Sequence, residues 1–160
     1  TGERPDQARN LGRAMRYPHE GIGGAGAGRG RASLFSAIPD YAATANAQLC
    51  LLVMVETRAG LAALDEILEV EGVDGVFVGP ADLAADMGHL DDSAAPEVQQ
   101  AIRDVLGRVD AAGKVAGIIA FDDDSAQRYL DWGARFLGLG ADVLMLAQAA
   151  RATAARWKNG

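Results

Sequence analysis

Two carboxylates carry the chemistry that this sequence suggests. Glu56 ends the apolar run "LCLLVMVE", and Asp82 follows the apolar run "DGVFVGP" inside "VGPADL". The two lie about one strand-plus-helix unit apart. In parallel βα folds the ligand sits at the carboxyl ends of the strands, where loops and helix N-termini gather, so both acids are expected side by side on that face. Adjacent carboxylates repel, and a shared proton or a bound divalent cation relieves the repulsion. Two hard oxygen donors favour Mg²⁺ or Mn²⁺, with water and substrate oxygens completing an octahedron. The alternative is that both acids simply cap the helices behind them. Pro80 opens a turn in which the backbone N–H groups of Ala81 and Asp82 can receive a carboxylate. A cation beside such a turn suits a 2-oxo acid, chelated through its carboxylate and keto oxygens.

The elements that must position these residues are legible from Ile38 onward. Four apolar runs, Leu49–Val55, "DGVFVGP", "KVAGIIAF" and "RFLGLGAD", read as strands buried on both faces. Helical patterns separate them: Leu61, Leu64, Ile67 and Leu68 in one, Val98, Ile102, Val105, Leu106 and Val109 in the next, then "DDDSAQRYLDWGA". An Ala-rich helix from Val143 to Lys158 closes the chain. Upstream, a helix-compatible opening (Asp6 to Met15) leads into the Gly-rich loop "GIGGAGAGRGRAS". Alternating helices and wholly apolar strands predict an α/β fold with a parallel sheet, either a doubly wound sheet or part of a TIM-type barrel. A full barrel takes about 250 residues and eight units, and only four units are visible. Glycines at strand tips (Gly79, Gly117, Gly138, Gly140) favour the barrel.

A chain of 160 residues with 49% hydrophobic residues suffices for one core, so residues 1–160 are expected to form a single domain. The net charge of −7 argues against nucleic acid or an anionic membrane as a partner and leaves a small molecule as the default. No run is long enough to span a bilayer, and no secretion signal opens the chain. The single cysteine, Cys50, reads as a small buried thiol and fits a cytoplasmic location. "GIGGAG" matches the dinucleotide pattern by letter, but no apolar strand precedes it and no amphipathic helix follows, so a flexible loop is expected. His19 and His89 have no partners at ligand spacing, Arg31 reads as a solvated loop charge, and Asp122 to Asp124 read as a helix cap.

The blocks "RYPHEGIGG", "IPDYAATAN", "VET", "LDEILEVEGVDGVFVGPADLAADMGH", "PEVQQAI" and "GARFLGLGAD" resemble the HpcH/HpaI class II pyruvate aldolases, from about Asp6 to Arg156. The resemblance implies the carboxyl-terminal half of a TIM-type (β/α) barrel, with about four βα units. It implies a divalent cation (Mg²⁺, Mn²⁺ or Co²⁺) held by Glu56 and Asp82, and pyruvate bound at Gly79, Ala81 and Asp82. The reaction implied is reversible cleavage of a 4-hydroxy-2-oxo acid into pyruvate and an aldehyde, in a homo-oligomer. The family's acid/base His and its enolate-stabilising Arg are expected in βα units upstream of this chain, so no acid/base residue is assigned here and the chain alone is expected to turn over poorly. Two positions depart from the family pattern. Met54 stands where a substrate-contacting Gln is usual, and the Gly-rich loop lacks a Ser near Ala27. The rival reading is a non-catalytic half barrel that completes itself by binding another copy.

Overall fold

Four strands pair in parallel and in chain order in the computed structural model, which describes residues 2–158: β1 (Leu52–Val55), β2 (Gly75–Val78), β3 (Val115–Ala120) and β4 (Phe136–Leu139). Helices connect them. α1 (Pro5–Met15) and the short α2 (Tyr41–Thr44) precede β1, and α3 (Arg58–Ala62) and α4 (Leu64–Leu68) lie between β1 and β2. α5 (Pro80–Asp86) and α6 (Pro96–Ala111) link β2 to β3, α7 (Asp123–Asp131) links β3 to β4, and α8 (Asp142–Lys158) follows β4. A doubly wound sheet reverses its strand order to place helices on both faces. Here the order never reverses, as in successive units of a barrel.

Residue alternation divides the sheet into two faces. The register aligns Val53 with Val76 and Ala116, and Val55 with Val78 and Ile118. All six are buried and pack with Leu64, Ile67, Leu83, Val98, Ile102, Val105, Leu106 and Val109 of the helices in one core. The other face aligns Met54, Phe77, Gly117 and Phe136. It is open: Met54 and Phe136 are 38% and 54% exposed. Helices cover one face only, which settles the choice left by the sequence in favour of four units of a TIM-type barrel.

Several expectations need correction. The run from Leu49 does not form a strand until Leu52, and Cys50 is exposed rather than buried, because it precedes the ladder. Strands expected to be buried on both faces are half-buried, since one face lacks a helix layer. The helix expected after β1 is two pieces, parted at Ala63 (φ −91°, ψ 3°). Gly117 is not at a strand tip: it lies within β3, where Phe77 and Phe136 meet edge to face, centroids 6.1 Å apart, and a Cβ would stand 2.9 Å from the Phe77 ring. The Gly-rich segment is a loop with two short 3₁₀ turns, as its composition requires.

Two glycine substitutions test this packing in opposite directions. A Cβ on Gly75 would sit 2.2 Å from the Val115 carbonyl oxygen in the β2–β3 ladder, so Gly75→Ala is expected to destabilise by about 2 kcal/mol or more. Gly107, within α6, has open space around it, and Gly107→Ala is expected to stabilise by about 0.5–1 kcal/mol. Urea denaturation of both variants measures the two shifts.

Candidate active site

Glu56 is the first residue past β1, and alternation places it on the open face with Met54. It does not cap a helix. Thr57 does: its hydroxyl oxygen accepts the Gly60 N–H at 3.1 Å and opens α3. The Glu56 carboxylate therefore has no role in ending or starting an element. Across from it, the Gly79 N–H reaches the Val55 carbonyl at 3.4 Å, carrying the β1–β2 pairing one step beyond the strands. A Cβ on Gly79 would lie 2.4 Å from Glu56 Oε2, so only glycine leaves room for that carboxylate.

Pro80 starts α5, and the first bond inside that helix runs from the Leu83 N–H to the Gly79 carbonyl at 3.0 Å. The N–H groups of Ala81 and Asp82 thus have no intrahelical acceptor. Asp82 lies in the first turn of α5, and its side chain caps nothing. Among the described residues, neither the Glu56 nor the Asp82 carboxylate accepts a side-chain hydrogen bond or joins an ion pair.

Burial pushes the Glu56 carboxyl above its ordinary value, and the nearby Asp82 and Glu3 carboxylates push it further in the same direction. Asp82 is therefore close enough to repel it. All five residues singled out from the sequence, Met54, Glu56, Gly79, Ala81 and Asp82, line one cavity of about 560 Å³, within the usual size of a small-ligand site. Gln99, Asp122, Arg128 and Tyr129 also line it.

Other candidates fall away. Asp122 is the cap of α7, accepting the Ser125 N–H at 2.8 Å, and its bonds with Ser125 hold its carboxyl below the ordinary range. His89 lies 3.8 Å from Glu97, and neither histidine nor Arg31 lines the cavity. A larger hollow of about 800 Å³ opens at the amino ends of β1 and β2, lined by Arg9, Arg13 and Arg16 but also by Glu20, Glu69 and Glu71, a set that largely neutralises itself.

The residue that sequence reasoning missed is Glu3. One carboxylate oxygen accepts the Glu56 N–H at 3.0 Å and the other accepts the Thr57 hydroxyl. Nothing in the sequence around Glu3 marks it out, because the contact joins positions separated by the whole α1 and loop segment.

The raised Glu56 carboxyl has a consequence for pH. An acid whose folded-state pKa is raised binds its proton more tightly in the native state, so its contribution is favourable in acid and is lost as pH rises through the folded value. In chelator-treated protein, Glu56→Gln is expected to melt above the parent at pH 7, and the gap should close as pH falls below the ordinary glutamate value of 4.5. Thermal melts of the two proteins across that range check this.

Comparison with known proteins converges on one family. Residues 2–149 match the HpcH/HpaI aldolase/citrate lyase family. The chain is 61% identical to a hydroxypyruvate/pyruvate aldolase of Roseovarius nubinhibens, covering 98% of this chain and 61% of the relative. It is 50% identical to a 4-hydroxy-2-oxo-heptane-1,7-dioate aldolase of Shigella flexneri, covering 96% of this chain and 58% of the relative. The crystal structure of an HpcH/HpaI aldolase/citrate lyase family protein from Burkholderia cenocepacia superimposes with a TM-score of 0.88 at 39% identity, covering 98% of this chain and 62% of that one. The chain thus spans about three fifths of the length of the curated relatives it matches. The chain belongs to the HpcH/HpaI aldolase/citrate lyase family.

Proposed function

We propose that the protein serves a divalent-metal-dependent aldolase that reversibly cleaves a 4-hydroxy-2-oxo acid into pyruvate and an aldehyde, with Glu56 and Asp82 as the metal ligands. The observation that carries this reading is the pair of mutually repelling carboxylates, free of protein partners among the described residues, on the wall of one cavity. Two hard oxygens on adjacent strand ends fit Mg²⁺, Mn²⁺ or Co²⁺, each of which retains open positions for water and substrate. A bound cation supplies Lewis-acid stabilisation to the negative charge that develops on the pyruvate keto oxygen as the C3–C4 bond breaks, several kcal/mol at the barrier.

The chain's own groups hold the substrate in place. The Ala81 and Asp82 N–H groups receive the pyruvate carboxylate at the start of α5, and Gly79 keeps the approach clear. Met54, on the layer beneath Glu56, offers an apolar surface and no hydrogen-bond donor, so orientation falls more heavily on the backbone groups of Gly79, Ala81 and Asp82. Among the described residues the cavity lining includes neither lysine nor histidine. No Schiff-base amine is at hand there, which favours the metal route. We read residues 1–160 as a single aldolase-like domain. The lone Cys50 supports a cytoplasmic setting, and α8, which has no buried residue, supports a homo-oligomer.

Titration with Mn²⁺ in the presence of pyruvate tests the assignment. The parent protein is expected to bind the ion. Glu56→Gln and Asp82→Asn should each weaken that binding by more than about 10-fold, since even groups behind the ligands typically contribute that much. Gly79→Ala should weaken it too, because the added methyl competes with the Glu56 carboxylate for space. Equal Mn²⁺ affinity in the parent and both carboxamide variants would refute the metal site.

A further inference from the structure

The tip of β1 is held from outside the strand. Gly79 and Val55 close the ladder on the β2 side, which leaves the Glu56 N–H facing the other edge of β1. There the start of the chain runs alongside: the Gly2 N–H donates to the Met54 carbonyl at 3.2 Å. Continued backbone pairing would bring a carbonyl to the Glu56 N–H. A side-chain carboxylate takes that place instead. Glu3 Oε1 accepts the Glu56 N–H at 3.0 Å, a charge-assisted bond of the stronger kind.

The second oxygen extends the restraint. Glu3 Oε2 accepts the Thr57 hydroxyl, whose own oxygen accepts the Gly60 N–H at 3.1 Å. One carboxylate thus fixes the residue that carries the proposed metal ligand, the cap of α3 and the first turn of that helix. Gly60 is shaped to admit it, since a Cβ there would stand 2.7 Å from Glu3 Oε2. On the far side, the missing side chain of Gly79 leaves the space that the Glu56 carboxylate occupies.

We propose that Glu3 is a positioning residue for the metal site: it locks the Glu56–Thr57 backbone so that the Glu56 carboxylate stands beside Asp82 across Gly79. Its functional meaning rests on the metal reading above, whereas the clamp itself does not. Two readouts separate them. The first is amide hydrogen exchange at Glu56 in metal-free protein, and the second is the Mn²⁺ dissociation constant by titration, both well below the melting temperature.

Glu3→Ala is expected to accelerate exchange at the Glu56 amide and to raise the Mn²⁺ dissociation constant by about 10–100-fold, the range seen for groups that orient ligands. Glu3→Asp keeps the charge but falls a methylene short, and it should behave like Glu3→Ala. It also serves as the test if Glu3→Ala does not fold. Glu3→Gln retains an oxygen acceptor for the Glu56 N–H and should stay within about 3-fold of the parent, the weaker neutral bond replacing the charged one. Unchanged Glu56 exchange in the folded Ala or Asp variant overturns the clamp, whatever the ion does. Faster exchange with an unchanged Mn²⁺ constant overturns the positioning role. Normal affinity in Glu3→Asp with loss in Glu3→Gln overturns it as well, showing charge rather than reach to be what counts. If the parent protein itself binds no Mn²⁺, the metal reading fails, and amide exchange still decides the clamp.

Discussion

Strict alternation along β1 is the constraint on which the site depends. Val53 and Val55 must face the helices, because together with Val76, Val78 and Ile118 they form the sheet side of the core. Met54 and Glu56 are then committed to the opposite face. A slip of one residue would expose the valines and drive a carboxylate into the helix layer, exchanging a buried apolar side chain for a charge that has no partner there. The packing of the core thus fixes the direction of Glu56 more firmly than any contact its own carboxylate makes. The same reasoning carries to β2, where Val76 and Val78 set the phase and deliver Gly79 and the start of α5 to the same level.

Electrostatics at that level disfavour the ionised form of Glu56. Burial and two neighbouring acids together raise the Glu56 carboxyl. Proteins seldom keep such a group without a use, and perturbed acids in a cleft are candidates for function. The arrangement is also enforced rather than incidental. Gly79 is the one residue type that lets the carboxylate lie where it does, and Glu3 holds the backbone behind it. Like charges gathered by so specific a set of contacts support the cation site proposed for Glu56 and Asp82.

How much of this was visible in the sequence depended on the range of the interaction. Elements governed by local period emerged well: α6 with its stripe of Val98, Ile102, Val105, Leu106 and Val109, and the four strands in order. Glu56 and Asp82 were legible because a charge at the end of a wholly apolar run is a local anomaly. Cys50 was misjudged for the complementary reason. Apolar neighbours predict burial only where a ladder forms, and pairing begins two residues later, at Leu52. Gly117 looked like a tip residue because its partners, Phe77 and Phe136, come from strands on either side. Glu3 gave no signal at all, since a single long-range side-chain bond leaves no periodicity behind.

The open face explains how four strands make both a floor and a hollow. At the level of Met54 the register brings Phe77 and Phe136 together over Gly117, two large rings filling the space that one absent side chain leaves. Barrel interiors are built from such layers of complementary size. One step toward the carboxyl ends the sizes invert. Glu56 and Ile119 there share a level with Gly79 and Gly138, and the two glycines withhold the bulk that would close the space. The aromatic layer therefore fills the level below, while the glycine layer above it leaves a hollow whose wall carries the two acids. Size alternation between successive layers opens the space at the carboxyl ends, and the loop residues Ser93, Ala94 and Phe121 complete the cavity wall.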